Sequence, residues 1–176
     1  MKATSLSLAA AALATVTGAA LATAACANEA RSDEVAPPAS TQDTISGTYL
    51  DAPQTPGTWR YEDEPGEKLA LYGEDPRAPV FLMRCGDGAV ALARVSDTAQ
   101  DAPRTMTVTT ETVTGQLEAS PVPGREVILA ARLAPGDPLL DAMAITKGRF
   151  AIEVEGMAPL YLPAWVEVSR VIEDCR

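Results

Sequence analysis

The stretch that decides the fold is residues 137–175, DPLLDAMAITKGRFAIEVEGMAPLYLPAWVEVSRVIEDC. Asp137 is a good helix N-cap and Pro138 fits the first helical position, which predicts a short helix. Alternating apolar residues over 150–154 then predict a strand, and a shorter apolar run predicts another. An amphipathic pattern opening at Pro163, with Trp165 on its apolar side, predicts a last helix. We therefore expect helix, strand, strand and helix, ending on a cysteine.

The chain has three cysteines. Cys26 lies in an N-terminal export segment, which leaves Cys85 and Cys175 to pair with each other in an oxidising compartment. That bond would close a loop of about 90 residues, worth roughly 4–5 kcal/mol of stability. Because the two cysteines lack the CxxC spacing of redox pairs, we predict a structural disulfide.

Residues 1–26 have the features of a signal peptide: a positive start, an apolar run and small residues near a cleavage point. The sequence is compatible with two different cleavage sites. Residues 23–26, TAAC, resemble a bacterial lipobox with Thr23 where Leu is usual, and would place a lipid on Cys26. Alternatively, the small residues flanking Cys26 form an ordinary signal peptidase site. The spacer that follows favours the lipoprotein, held in the periplasm by an anchor on Cys26.

Residues 27–57 are rich in Pro, Ser, Thr, Ala and acidic residues, and are poor in large apolar ones. Such a segment cannot bury enough surface to fold, so we predict a disordered tether. Residues 58–176 are then a single β domain, which is within the size range of one hydrophobic core.

Between residues 58 and 133 the pattern predicts seven strands joined by short turns. One segment is expected to direct Leu69 and Leu71 inward and Tyr72 outward. Residues 80–85 are apolar on both faces and should form a central strand, whereas residues 112–118 suit an edge strand. The fold class is mainly β: an antiparallel β-sandwich or barrel-like domain with two short helices in its C-terminal part.

Several classes of chemistry are excluded by composition. The chain has no histidine, which excludes Ser-His and Cys-His catalysis and most zinc sites. Its net charge of −10 opposes nucleic acid and anionic lipid. We expect no cofactor, no metal and no nucleic acid, and contact with a membrane only through the lipid anchor. Paired carboxylates are the remaining option for catalysis. They cluster at residues 62–67 and at residues 153 and 155.

Three features together resemble known exported proteins. They are the early Trp59, the apolar-x-Arg-Cys segment at 81–85, and the late helix–strand–strand–helix at 138–175. This layout is similar to small exported β-sandwich proteins of Gram-negative bacteria, namely the invasion-associated locus B family and a periplasmic accessory family of type VI secretion. It also resembles uncharacterised exported proteins and lipoproteins with a similar C-terminal ending. The resemblance implies a role in the cell envelope without catalysis, and it transfers only the cysteine pair.

The leading hypothesis is a non-catalytic envelope protein that binds another envelope protein, which the sequence does not identify, or supports an assembly. Two alternatives are open. A periplasmic inhibitor or small-ligand-binding module would need a deep apolar pocket, and a filled core would count against it. A carboxylate-dependent hydrolase would need two acidic side chains facing each other across a cleft.

Overall fold

The structure, a computed structural model, describes residues 49–176. The predicted signal peptide 1–26, the lipidation site Cys26 and residues 27–48 of the predicted tether lie outside the described residues. The strands are β1 Thr58–Glu64, β2 Glu67–Gly73, β3 Phe81–Gly86, β4 Ala89–Val95, β5 Arg104–Thr109, β6 Thr114–Val122, β7 Arg125–Leu133, β8 Arg149–Val154 and β9 Leu160–Pro163, and the two C-terminal helices are α1 Pro138–Ile145 and α2 Val166–Glu173.

All nine strands belong to one antiparallel sheet in the order β1-β2-β3-β4-β7-β6-β5-β8-β9. The sheet is not closed, because β1 and β9 are its two edges. Strand β6 changes partner along its length: residues 114–119 pair with β5, and residues 120–122 pair with β7. The predicted mainly β, antiparallel fold with two short helices in the C-terminal part is confirmed.

One face of the sheet carries the hydrophobic core, and we call it the inner face. Both helices contribute to it, α1 through Leu139, Leu140 and Met143 and α2 through Val168, Val171 and Ile172. The largest fully buried side chains are Tyr72, Phe81, Met83, Leu92, Met106, Leu129, Leu140, Met143, Phe150, Ile152, Leu162 and Ile172. The interior is filled by side chains from nearly every strand.

Local signals in the sequence correctly identify several elements. The β3–β4 hairpin turns at Asp87 and Gly88, whose φ angles of 53° and 69° are those of the turn predicted there. The Asp137 side chain accepts a hydrogen bond of 2.9 Å from the Leu139 N–H and caps α1 as predicted. Strand β3 lies between β2 and β4, in agreement with its apolar pattern on both faces.

The predicted orientation of β2 is wrong. Ala70 and Tyr72 are fully buried on the inner face, whereas Leu69 and Leu71 are half-buried on the opposite face. Both sets alternate equally well, so periodicity gave the strand but not its orientation. Because the two leucines lie on the outer face, they form one wall of the candidate site.

Contacts with neighbouring aromatic and polar groups account for the burial of Tyr72. Its ring packs edge-on against Trp59, with centroids 5.1 Å apart. Its hydroxyl donates a hydrogen bond of 2.6 Å to the Thr55 carbonyl oxygen and accepts one of 3.2 Å from the Gln54 amide. A buried tyrosine needs such partners, because an unpaired hydroxyl would be costly in the core.

Two further expectations are wrong. Residues 112–118 were expected to form an edge strand, but β6 is central, between β7 and β5, and continues through Pro121. A proline is tolerated there because the register shifts at Pro121 and Val122. The last helix begins at Val166 instead of Pro163, which is the final residue of β9, and Trp165 precedes the helix with 45% of its surface exposed.

Both edges of the sheet have additional contacts. The Trp59 indole on β1 donates a hydrogen bond of 2.7 Å to the Pro163 carbonyl on β9. The Thr55 N–H donates a hydrogen bond of 3.0 Å to the Tyr161 carbonyl oxygen on β9, and the Tyr161 N–H donates one of 2.8 Å to the Thr55 hydroxyl oxygen. Residues 54 and 55 therefore pack on the domain, so the ordered contacts begin before the predicted boundary at residue 58.

A disulfide joins Cys85, near the end of β3, to Cys175, just beyond α2. Their Cα atoms are 5.3 Å apart and 90 residues separate them in sequence, in agreement with the predicted pairing. The bond holds the C-terminal end of α2 against the strands that the helix covers.

We expect the paired substitution of Cys85 and Cys175 by Ala to lower the melting temperature by about 10–20 °C. Without the bridge the unfolded chain has more conformational entropy. For a loop of this length, that entropy lowers the free energy of unfolding by about 4–5 kcal/mol. Thermal unfolding followed by circular dichroism measures the shift, with Cys26→Ala as the matched control. An unchanged melting temperature in the double variant would contradict a stabilising bridge.

Candidate binding groove

The outer face of β2, β3, β4 and β7 forms a concave surface, which we call the outer groove. Alternation along each strand assigns its residues, because every second side chain points away from the core. The residues of these four strands that line it are Glu67, Leu69, Leu71, Leu82, Arg84, Ala91, Ala93, Ile128, Ala130 and Arg132, with Arg125 at the hairpin end of β7. They are neighbours across the strands, so the surface is continuous.

Small residues in the middle of this face make it concave. In one row of cross-strand partners, Leu71 on β2 stands beside Leu82 on β3, then Ala93 on β4 and Ala130 on β7. The two leucines project farther than the two alanines, and Ala91 continues the low floor in the next row. The floor is therefore apolar and lies below its leucine wall.

The β6–β7 hairpin supplies the opposite wall. Ser120, Pro121, Val122 and Pro123 line the groove from that side. The register shift between Pro121 and Val122 bends the hairpin away from regular pairing. The volume of the groove is about 610 Å³, within the range of about 300–1,000 Å³ typical of ligand sites.

Charge at the rim of the groove is mainly positive. Arg84 is engaged within the protein, by Glu67 and by Asp87 at 3.2 Å. Arg125 and Arg132 are exposed, and neither makes an ion pair or a side-chain hydrogen bond with any described residue. In a chain of net charge −10, this surface presents two unpaired cationic groups beside an apolar floor.

A second, smaller depression of about 320 Å³ lies on β5 and β6 and contains two carboxylates. Glu118 and Glu155 line it together with Arg104. Both glutamates are exposed to solvent. A glycosidase-type pair needs one carboxylic acid held in its neutral form by burial or a neighbouring charge, and solvated carboxylates do not provide that.

Three carboxylates of the predicted cluster at residues 62–67 are engaged in ion pairs. Glu62 bonds Arg60 at 2.8 Å, and Asp63 and Glu67 pair with Lys68 and Arg84. Within residues 49–176 no group of three or more acidic or cysteine side chains could hold a metal ion. Over the same part of the chain, no helix has the length and apolar character needed to cross a bilayer.

Four aromatic residues, Trp59, Tyr61, Tyr72 and Trp165, lie outside the outer groove, and the first three make structural contacts. Trp59 and Tyr72 are in the core. The guanidinium carbon of Arg170 lies 4.0 Å from the centroid of the Tyr61 ring. The Tyr61 hydroxyl donates a hydrogen bond to the Asp174 carboxylate. Burial and that bond raise the pKa of Tyr61 to about 12. These contacts fix α2 on β1 and leave no aromatic side chain of this set in the outer groove.

The outer groove was not predicted from the sequence. A signal was present in the two neighbouring strands, because Ala91, Ala93 and Ala130 occupy the alternate positions to Leu92 and Leu129, which are buried. Small residues on one face of two adjacent strands predict a low surface there. Recognising the groove also required the pairing of β4 with β7, which are separated by β5 and β6 in the chain.

We expect Ala130→Phe to change the free energy of unfolding by less than about 0.5 kcal/mol, because its side chain extends into the open groove. Ala131→Phe, one residue along the same strand, should destabilise the fold by about 1–3 kcal/mol, because Ala131 is 2% exposed and faces the packed core. Urea unfolding measures both values. Equal losses would contradict the assignment of the two faces.

Comparisons with known proteins provide no relative from which a function could be transferred. No protein-family model, no curated protein and no solved structure matches the chain. The similarity to exported β-sandwich families therefore stays a prediction from the sequence pattern. The outer groove, with its apolar floor and cationic rim, is the feature on which a functional argument can be built.

Proposed function

We propose that this is an exported, non-catalytic protein of the cell envelope that binds an extended segment of another protein in the outer groove. The observation that carries the proposal is a continuous apolar surface flanked by two unpaired arginines. A soluble domain gains nothing in stability from leaving leucines half-exposed around an open floor, and such patches commonly mark binding sites. The export signal and tether predicted from the sequence support the location.

Charge defines the partner's chemistry. Arg125 and Arg132 would attract aspartate or glutamate side chains, while the rest of this acidic protein repels them. Arginine also suits this role because its planar guanidinium can bond a carboxylate through two N–H groups. The segment that fits therefore combines apolar side chains for the floor with carboxylates for the rim.

The dimensions of the groove suit a short extended peptide. From β2 to β7 the floor crosses four adjacent strands, which at about 4.8 Å per spacing is about 14 Å. An extended chain rises about 3.3 Å per residue, so about four to six residues would span the floor. Ala91, Ala93 and Ala130 leave room for the apolar side chains of such a segment.

The two alternative functions, a small-ligand-binding module and a hydrolase, have less structural support than peptide binding. Buried side chains fill the inner face of the sheet, which counts against an enclosed ligand. The volume of the outer groove, however, also suits a small amphipathic anion. For a hydrolase, Glu118 and Glu155 are the nearest candidates among the described residues, and both are solvated. We therefore keep a small-ligand-binding module as the second candidate.

Selection of random 12-residue peptides against the full chain tests the proposal. We expect enrichment of peptides that place aspartate or glutamate next to large apolar residues. Ala130→Phe should abolish their binding by filling the groove. Arg125→Glu combined with Arg132→Glu should weaken it at least about tenfold, the equivalent of about 1.4 kcal/mol. Fluorescence polarisation measures the affinities, which should fall as salt rises.

The matched control is Arg77→Glu, a charge reversal at an exposed arginine in the β2–β3 loop, which should leave peptide affinity within about twofold. Peptides that bind Ala130→Phe as well as the unmodified protein would contradict the proposed site. Failure to enrich any peptide, together with Ala130-dependent binding of an apolar anionic dye, would replace the proposal by the small-ligand alternative.

The proposed anchoring is tested separately by Cys26→Ala. The substitution removes the thiol that a lipoprotein pathway modifies, so we expect loss of fatty-acid labelling and release into the soluble periplasmic fraction. Metabolic labelling and fractionation of cells that export the full chain measure both effects. Unchanged labelling and fractionation would show that Cys26 does not carry the anchor.

A further inference from the structure

A second surface, distinct from the outer groove, collects most of the exposed large apolar side chains. Among the described residues these side chains are Leu50, Val113, Val127, Ile145, Trp165 and Val166. All of them except Val127 belong to segments that meet at one end of the sheet. We call Leu50, Val113, Ile145, Trp165 and Val166 together the apolar end.

Hydrogen bonds bring the first three segments together. The Glu111 N–H, in the β5–β6 turn, donates to the Thr146 hydroxyl oxygen at 3.3 Å, which places this turn beside the end of α1. In the same turn, the Thr110 N–H donates a hydrogen bond of 2.8 Å to the Val113 carbonyl oxygen. The Arg149 guanidinium donates a hydrogen bond to the Ala52 carbonyl oxygen, which places the segment around Leu50 beside the start of β8. Tyr49 is buried there, and burial together with the Glu111 carboxylate raises the pKa of its hydroxyl. Leu50, Val113 and Ile145 are therefore neighbours in the fold.

The start of α2 joins the same end. The Ala164 N–H donates a hydrogen bond of 3.0 Å to the Gly148 carbonyl, two residues beyond Thr146. Trp165 and Val166 follow directly. The exposed fraction is 71% for Ile145, 70% for Val166 and 45% for Trp165. The Trp165 indole N–H makes no hydrogen bond to any residue between 49 and 176.

Chain continuity indicates what covers this surface. Tyr49, where the described chain begins, lies at the apolar end, so residues 1–48 lead into the domain there. The lipid predicted on Cys26 would hold the chain at a bilayer surface, and the inference rests on that predicted anchor. The 22 residues between Cys26 and Tyr49 span at most about 80 Å. A membrane that holds the anchor is within reach of this end.

The composition of the apolar end matches the interfacial region of a bilayer. Tryptophan is enriched there because its ring is apolar and its N–H can bond water or headgroups. Isoleucine, valine and leucine add apolar surface that inserts a few ångströms. The nearby exposed charges, Asp51, Glu111 and Lys147, give no positive excess, so attraction to anionic lipid is not expected.

We propose that the apolar end inserts into the interfacial region of a bilayer of zwitterionic phospholipid, and so holds the domain against the membrane. This surface is independent of the outer groove: no residue of the apolar end lines the groove. Its partner is a lipid surface, whereas the partner of the groove is a protein segment.

Quenching of tryptophan fluorescence by brominated lipid tests the proposal on the full chain. The protein is reconstituted into phosphatidylcholine vesicles with bromine at carbons 6 and 7 of one acyl chain, and into matched vesicles without bromine. The two tryptophans differ: Trp59 is 6% exposed in the core, whereas Trp165 is at the apolar end. We expect bromine to lower the emission to about the level of Trp165→Phe, because only Trp165 reaches the lipid.

Two variants separate insertion from mere proximity. Ile145→Ser combined with Val166→Ser should reduce the quenching of Trp165, because the inserted apolar surface shrinks. Val127→Ser, at an exposed valine outside the apolar end, should leave it unchanged. Equal emission in brominated and plain vesicles would overturn the proposal. It would also be overturned if sedimentation showed a dimer whose Trp165 is already shielded without lipid.

Discussion

The packing of α2 on the inner face of β1, β2 and β3 is the constraint on which the rest of the structure depends. Val168, Val171 and Ile172 bury the apolar side of the helix, and the disulfide from Cys175 to Cys85 fixes its end. Once the helix occupies one face of these strands, that face becomes the core. The other face is then left to solvent or to a partner, whatever apolar residues it carries.

The outer groove follows from that division. Tertiary packing places Tyr72 inside, where it packs on Trp59, and leaves Leu69 and Leu71 outside. Alanines on β4 and β7 then lower the middle of the outer face, and the arginines at its rim give it a sign opposite to that of the whole chain. The result is an open apolar groove built mainly from strand residues, which the sheet holds in place.

The edges of the sheet show how an open sheet is protected. Unpaired strand edges favour association with other chains. Here the Trp59 indole bonds the Pro163 carbonyl across the opening, and Thr55 bonds β9 through its backbone and side chain. The segment before β1 therefore has a structural role at the edge, which its polar composition did not predict. That segment also connects the N-terminal region to the apolar end.

The sequence by itself determined the local features of the domain: nine strands, the turn at Asp87, the Asp137 cap and the cysteine pair, because each depends on neighbouring residues or on a count. It could not assign the inward face of β2, where Leu69 and Leu71 alternate as regularly as Ala70 and Tyr72. Nor did the sequence pattern predict that β6 is central or that Trp165 is exposed. Those outcomes depend on pairing between distant strands and on where α2 packs, so only the tertiary structure decided the groove and the apolar end.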